Sequence, residues 1–70
     1  MTDGFPARLQ RLRERRRISR KTLSELCGLH PDAVRLYERG EAEPSVVSLV
    51  ALADYFGVST DYLLGRTKHF

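Results

Sequence analysis

Apolar residues recur along this chain at steps of three and four, and no stretch alternates long enough to read as more than a fragment of strand. Phe5, Leu9 and Leu12 share one face of a first helix, expected over about residues 6–17 with Pro6 in its opening turn. Ser19 suits the N-cap of a second helix whose inner face carries Leu23, Leu26 and Cys27, and Gly28 stops it. A third helix is expected to open at His30-Pro31. A residue before proline is driven out of the α region, as an N-cap must be, and Pro31 then takes the first helical position. Asp32 follows near the positive end of the helix dipole, Val34 and Tyr37 face inward, and Gly40 ends the helix. Beyond the loop Glu41-Ala42-Glu43-Pro44, Ser45 caps a fourth helix with Val46, Leu49, Leu52, Ala53 and Phe56 inward, closed by Gly57. Ser59 caps a short fifth, Asp61-Tyr62-Leu63-Leu64, which Gly65 ends. The expected architecture is all-α, a compact five-helix bundle over residues 5–65, with residues 1–4 and 66–70 as flexible tails.

Within that pattern, residues 19–40 carry the most information. Ser24 lies four positions before Gly28, and Val34 six positions after it. Two helices that cross at close range need a short side chain at the crossing, a turn residue that tolerates positive φ, and a branched apolar residue pointing inward. Ser24, Gly28 and Val34 meet those demands in order, which predicts a helix-turn-helix with the third helix held outward, as small domains do to reach a DNA major groove.

Seventy residues make one small domain, burying only about 60% of the surface of the unfolded chain. There is no room for a deep cleft with its own walls. No run is long or apolar enough to cross a membrane, and the opening Met-Thr-Asp-Gly-Phe-Pro lacks the apolar core of a signal peptide. A single cysteine forms no internal disulfide, which fits a reducing compartment, and a cytoplasmic protein is expected.

Charge changes the picture more than size does. The net +3 hides an asymmetry: Arg8, Arg11, Arg13, Arg15, Arg16, Arg17, Arg20 and Lys21 stand against one acid, Glu14, whereas from Thr22 onward four basic residues face seven acids. A basic block beside a mildly acidic remainder points to a polyanion partner, with a solvated helix face as the alternative.

Arg13 and Glu38 each sit at the edge of an apolar stripe, next to Leu12 and Tyr37. Opposite charges half-turned into one small core are expensive unless they meet. An ion pair between the first helix and the end of the third is therefore expected, with outward snorkelling as the alternative. Cys27 reads as a small hydrophobe behind the turn, and His30 as a cap or solvent-facing residue. Two histidines and one cysteine without a short-spaced pair make no zinc site, no serine has a His/Asp partner set, and phosphate-binding glycine loops are missing. No metal, cofactor or enzymatic activity is expected.

Ser19 to Gly40, followed by Glu43-Pro44-Ser45, Leu49, Leu52-Ala53, Gly57-Val58-Ser59 and Asp61-Tyr62-Leu63-Leu64-Gly65, resembles the Cro/C1-type (Xre-family) helix-turn-helix domain of phage repressors and bacterial regulators. The resemblance covers residues 5–65 and implies a lambda-repressor-like DNA-binding bundle, usually a two-fold dimer on operator DNA. It also implies an arginine of the first helix paired with the glutamate ending the third, which matches Arg13 and Glu38. Base-reading positions of the family map to Pro31, Asp32, Ala33 and Leu36, with Arg35 alongside. Arg35 would suit guanine, Asp32 the amino group of cytosine, and Ala33 or Leu36 a thymine methyl. Where the family usually has a phosphate-gripping glutamine, this chain has Arg20, and the loop after the third helix is acidic at Glu41 and Glu43.

Candidate phosphate contacts are Arg11, Arg17, Arg20, Lys21 and Arg39. One recognition helix reads too little DNA for a genome, so a homodimer is expected, formed at least on the double-stranded DNA. Val50, Tyr55, Val58, Tyr62 and Leu63 are its candidate surface, with core membership as the alternative for several. The function expected is a sequence-specific transcriptional regulator, a bacterial or phage repressor of a palindromic operator, with no small-molecule effector pocket. The alternative is a protein-interaction module, such as an antitoxin or adaptor, that has kept the fold.

Overall fold

Every helix ends at a residue with left-handed backbone: Arg17, Gly28, Gly40, Gly57 and Gly65 have φ of 55°, 72°, 72°, 68° and 80°. A computed structural model describes residues 4–70, with helices α1 (Phe5–Arg16), α2 (Arg20–Leu26), α3 (Ala33–Glu38), α4 (Val46–Phe56) and α5 (Thr60–Leu63). After α2, the Gly28 N–H bonds the Glu25 carbonyl at 3.0 Å and the Leu29 N–H bonds the Ser24 carbonyl at 2.8 Å. After α3, Gly40 and Glu41 repeat the pattern on Tyr37 and Leu36 at 3.1 and 2.9 Å. A residue with no Cβ enters this conformation without strain, so Gly28 can turn the chain sharply from α2 toward α3. Arg17 does the same at the end of α1 as the one non-glycine with positive φ among the described residues, at a cost of about 1–2 kcal/mol. The first helix therefore stops one residue short of its expected end.

Serines cap three helices. Ser19, Ser45 and Ser59 accept the N–H groups of Thr22, Ser48 and Tyr62 at 3.0, 3.1 and 3.0 Å. The start of α3 differs from expectation. The His30 carbonyl closes a turn onto the Ala33 N–H at 2.9 Å, while the His30 Nδ1 accepts the Asp32 N–H at 3.1 Å. Pro31 and Asp32 are held in that turn, and α3 begins at Ala33.

The core joins Leu9, Leu12, Leu23, Val34, Tyr37, Leu52, Ala53, Phe56, Tyr62 and Leu63, with α1 packed on α3 and α5, α2 on α3, and α4 on α5. Two expected core positions are exposed: Leu26 at 60% and Val46 at 77%. Each lies on its helix's apolar stripe but at the end where no neighbouring element covers it.

Arg8, by contrast, is buried. Its Nη1 donates to the carbonyls of Tyr62 and Thr67 at 3.1 and 3.0 Å, and its guanidinium lies 4.4 Å from the centre of the Tyr62 ring. Phe70 stacks on the other partner of that cluster, 4.6 Å from Tyr62, and its carbonyl accepts the Ser59 N–H at 3.2 Å. Within residues 66–70, expected as a tail, Thr67 and Phe70 lie against Arg8 and Tyr62, which offer them a cation and an aromatic face. Of the tail expected over residues 1–4, the first three lie outside the described residues.

Candidate nucleic-acid interface

The Gly28 turn presents α3 with Val34 and Tyr37 inward, which leaves Asp32, Arg35, Leu36 and Arg39 on its outer side. The position of α3 is fixed from two directions. Ser24, fully buried at the crossing, accepts the Val34 N–H at 3.0 Å and donates to the Arg20 carbonyl at 2.8 Å. Arg13 grips the other end: Nε donates to Glu38 Oε2 at 2.6 Å, Nη2 to Oε1 at 3.1 Å, and Nη1 to the Ile18 carbonyl at 2.9 Å. The two side chains are only 13% and 4% exposed. The hydrogen bond to Glu38 raises the Arg13 pKa, against the opposing effect of burial, so the guanidinium is charged wherever the protein folds.

Ser19, Arg20, Lys21, Pro31, Asp32 and Arg35 surround one shallow depression of about 270 Å³ between the start of α2 and the approach to α3. Residues singled out separately in the sequence for phosphate and for base contact are thus brought to one face. Arg20, Lys21 and Pro31 are exposed there, and the Arg35 Nη2 lies 3.6 Å from Asp32 Oδ2. Leu36 is half-buried, and Arg11 and Arg17 are exposed. Ala33 departs from expectation: it is buried in the core, so its methyl cannot meet a base. Arg39 is exposed, but its Nε donates to Glu41 Oε2 at 2.6 Å.

The basic block divides. Arg8 and Arg13 serve the interior, and Arg16 lies over the rings of Tyr55 and Phe56 at 5.3 and 5.4 Å. Arg16 remains exposed, as are Arg11, Arg15, Arg17, Arg20 and Lys21. The role of Arg8 was detectable, because Phe5, Arg8, Leu9 and Leu12 fall at i, i+3, i+4 and i+7 of one stripe.

Two residues expected at a dimer surface are core. Leu63 is fully buried, and Tyr62 lies beneath Arg8 and Phe70. Their short helix packs both side chains against α1 and α4. Val50 is exposed, while Tyr55 and Val58 are half-buried. Cys27 is half-buried with Sγ 3.9 Å from the Ala51 carbonyl, and burial pushes its thiol pKa up. Among the described residues no three His, Cys, Asp or Glu side chains group as metal ligands, and no helix is long and apolar enough to cross a membrane.

A buried small residue at the crossing, a left-handed turn and an outward third helix define a helix-turn-helix module. The helix-turn-helix family model matches residues 9–63, and the chain belongs to that family, in its Cro/C1-type (Xre) branch. It is 35% identical over 63 residues to the SPbeta prophage-derived uncharacterized HTH-type transcriptional regulator YonR of Bacillus subtilis, covering 90% of this chain and 58% of that protein. Its identity to the HTH-type transcriptional regulator AnsR of Bacillus subtilis is 38% over 61 residues, covering 87% and 53%. The chain thus spans little more than half the length of these relatives. Among solved structures, the P22 c2 repressor in complex with synthetic operator 9T superposes with a TM-score of 0.87 at 30% identity, covering 94% of this chain and 100% of that one. The restriction-modification controller protein C.AhdI from Aeromonas hydrophila superposes at 0.77 with 34% identity, covering 84% and 89%.

Proposed function

We propose that this chain is a sequence-specific DNA-binding transcriptional regulator, a repressor that acts in the cytoplasm as a homodimer on a two-fold operator. The observation that carries this reading is the shallow depression at which Arg20 and Lys21 meet Pro31, Asp32 and Arg35 beside the outer side of α3. Cations at the rim hold the phosphate backbone without regard to sequence, and side chains on α3 reach base edges. The likeness to a repressor bound to a synthetic operator supports the same docking.

In this reading Arg35 donates two hydrogen bonds to guanine, Asp32 accepts from cytosine and repels other bases, and Pro31 and Leu36 make apolar contact. Arg11, Arg17, Arg20 and Lys21 bind phosphates. Val50, Tyr55 and Val58 remain the dimer candidates. Selection of bound sequences from a random duplex pool tests the proposal. An enriched, inverted-repeat site is expected, and Arg35→Ala relaxes one base position in each half-site at a cost of about 1–3 kcal/mol.

A protein-interaction module is the second reading, favoured by the exposed apolar face of α4 at Val46, Val47 and Val50. It predicts no enrichment in the same selection and no operator-length DNA bound above the random level at low salt.

A further inference from the structure

We infer that Glu41 is an attenuator of DNA affinity: its carboxylate stands in for a phosphate on Arg39 and keeps that guanidinium off the DNA backbone. The inference rests on the DNA-binding reading above and adds a residue and a role to it. Arg39 Nε and Glu41 Oε2 are 2.6 Å apart, yet the two side chains are 58% and 46% exposed. Burial does not demand this pair, since either charge could be satisfied by water.

An exposed pair usually gains little, because two long side chains must be held in one geometry. Here half of that ordering is supplied by the backbone. The Glu41 N–H is bonded to the Leu36 carbonyl at 2.9 Å and the Gly40 N–H to the Tyr37 carbonyl at 3.1 Å, with Gly40 at φ +72°. The residue after α3 is therefore fixed, and its carboxylate is delivered to the arginine two positions before it.

Placement gives the pair its consequence. Arg39 is one turn beyond Arg35 on the outer side of α3, and Asp32 is one turn before Arg35. Along this side the charges run acid, base, base, acid. Arg35 is held loosely, 3.6 Å from Asp32, whereas Arg39 is held at full hydrogen-bonding distance. Carboxylate and phosphate oxygens compete for the same guanidinium N–H groups. While Glu41 occupies Arg39, the basic end of α3 contributes neither a phosphate contact nor the counterion release that would accompany it. Because a phosphate contact carries no sequence information, the attenuation acts on all duplexes alike and leaves the ranking of sequences to Arg35 and Asp32.

The test compares the chain with Glu41→Gln, Glu43→Gln, Arg39→Ala and the double variant Glu41→Gln/Arg39→Ala, titrated against the selected operator and against random duplex from 50 to 300 mM salt. Circular dichroism on each variant establishes that it is folded. Glu41→Gln is expected to bind both duplexes about three- to tenfold more tightly near 0.1 M salt, with a salt slope steeper by about one per protomer and an unchanged operator-to-random ratio. Arg39→Ala alone changes little, and in the double variant it cancels the gain. An equal gain from Glu43→Gln, which removes the same charge from the same loop, overturns the inference, as does a gain that survives loss of Arg39 or an unaltered slope. If the unmodified chain fails to bind random duplex even at 50 mM salt, the DNA-binding reading itself falls and takes the inference with it.

Discussion

The Ser24 hydroxyl of α2 caps the first turn of α3, accepting the Val34 backbone N–H at 3.0 Å from a fully buried position. That N–H is one of the orphan donors of a helix start, and α3 supplies no cap of its own, since Asp32 makes no side-chain bond there. One side chain thus satisfies α3, ties it to α2, and is small enough for the two helices to touch.

Ser24→Ala keeps the volume nearly constant and leaves the Val34 N–H buried without a partner. A loss of about 1–3 kcal/mol is expected in denaturant unfolding, with the slope of the transition unchanged. A loss below about 0.5 kcal/mol would mean that water reaches the vacated site.

Arg13 and Glu38 form a nearly buried pair with two parallel hydrogen bonds. Removing either partner strands the other, so Arg13→Ala and Glu38→Ala should each cost about 3–5 kcal/mol, enough to unfold much of so small a domain. The double variant should cost clearly less than the sum, and a double-mutant cycle measures the difference. Because Arg13 is pushed above its ordinary value, its contribution is fully present below that value and is lost only above it. Unfolding curves between pH 7 and 10 should therefore show no loss that Arg13→Ala abolishes.

This pair was legible because both residues border an apolar stripe, and the turn was legible because Ser24, Gly28 and Val34 stand at the spacing a crossing requires. What periodicity could not supply was the extent of cover. Leu26 and Val46 lie on the right faces, but nothing packs over those ends of α2 and α4. For Tyr62 and Leu63 the core alternative holds, and periodicity could not choose it because a four-residue helix is too short to show which side is buried. At the site, the grouping of Arg20 and Lys21 with Asp32 and Arg35 depends on how α2 and α3 cross, and the capture of Arg39 by Glu41 depends on the turn after α3. Neither is a property of one helix.

Arg8 gives a third test. Its bonds to the Tyr62 and Thr67 carbonyls and its stacking on Tyr62 tie the segment at Thr67 to α1, while its Nε is buried with no hydrogen-bond partner among the described residues. Arg8→Ala should lower stability by about 1–3 kcal/mol and speed amide exchange at the Ser59 N–H, which bonds Phe70. Arg8→Lys, which keeps the charge but not the planar fork, should recover only part of the loss. Full recovery would show that charge alone holds the segment.

Cys27 should be a poor nucleophile in the folded chain. Burial raises its thiol pKa, so the thiolate that reacts is scarce at pH 8. Alkylation by iodoacetamide is expected to be several-fold slower than in denaturant at that pH. The unfolded thiol ionises first as the pH rises, so stability should fall slightly through that window, and Cys27→Ala should remove the decline. Equal alkylation rates in the two states would place the thiol in water.

The division of the basic block makes the last prediction selective. Only arginines and lysines that reach phosphate release counterions, and Arg16 is occupied by the Tyr55 and Phe56 rings and by the Phe56 carbonyl at 3.4 Å. Arg20 stands at the rim of the depression beside α3. With six to eight contacts drawn from Arg11, Arg17, Arg20 and Lys21 of two protomers, log affinity should fall linearly with log salt at a slope of about −5 to −7. Arg20→Ala should weaken binding to every sequence alike and make the slope shallower by about two, one contact per protomer. Arg16→Ala carries the same loss of formal charge and should leave the slope within about half a unit of the original, while lowering thermal stability. If the two variants shift the slope equally, the block acts through its total charge, and the hold of the Tyr55 and Phe56 rings on Arg16 has no bearing on DNA.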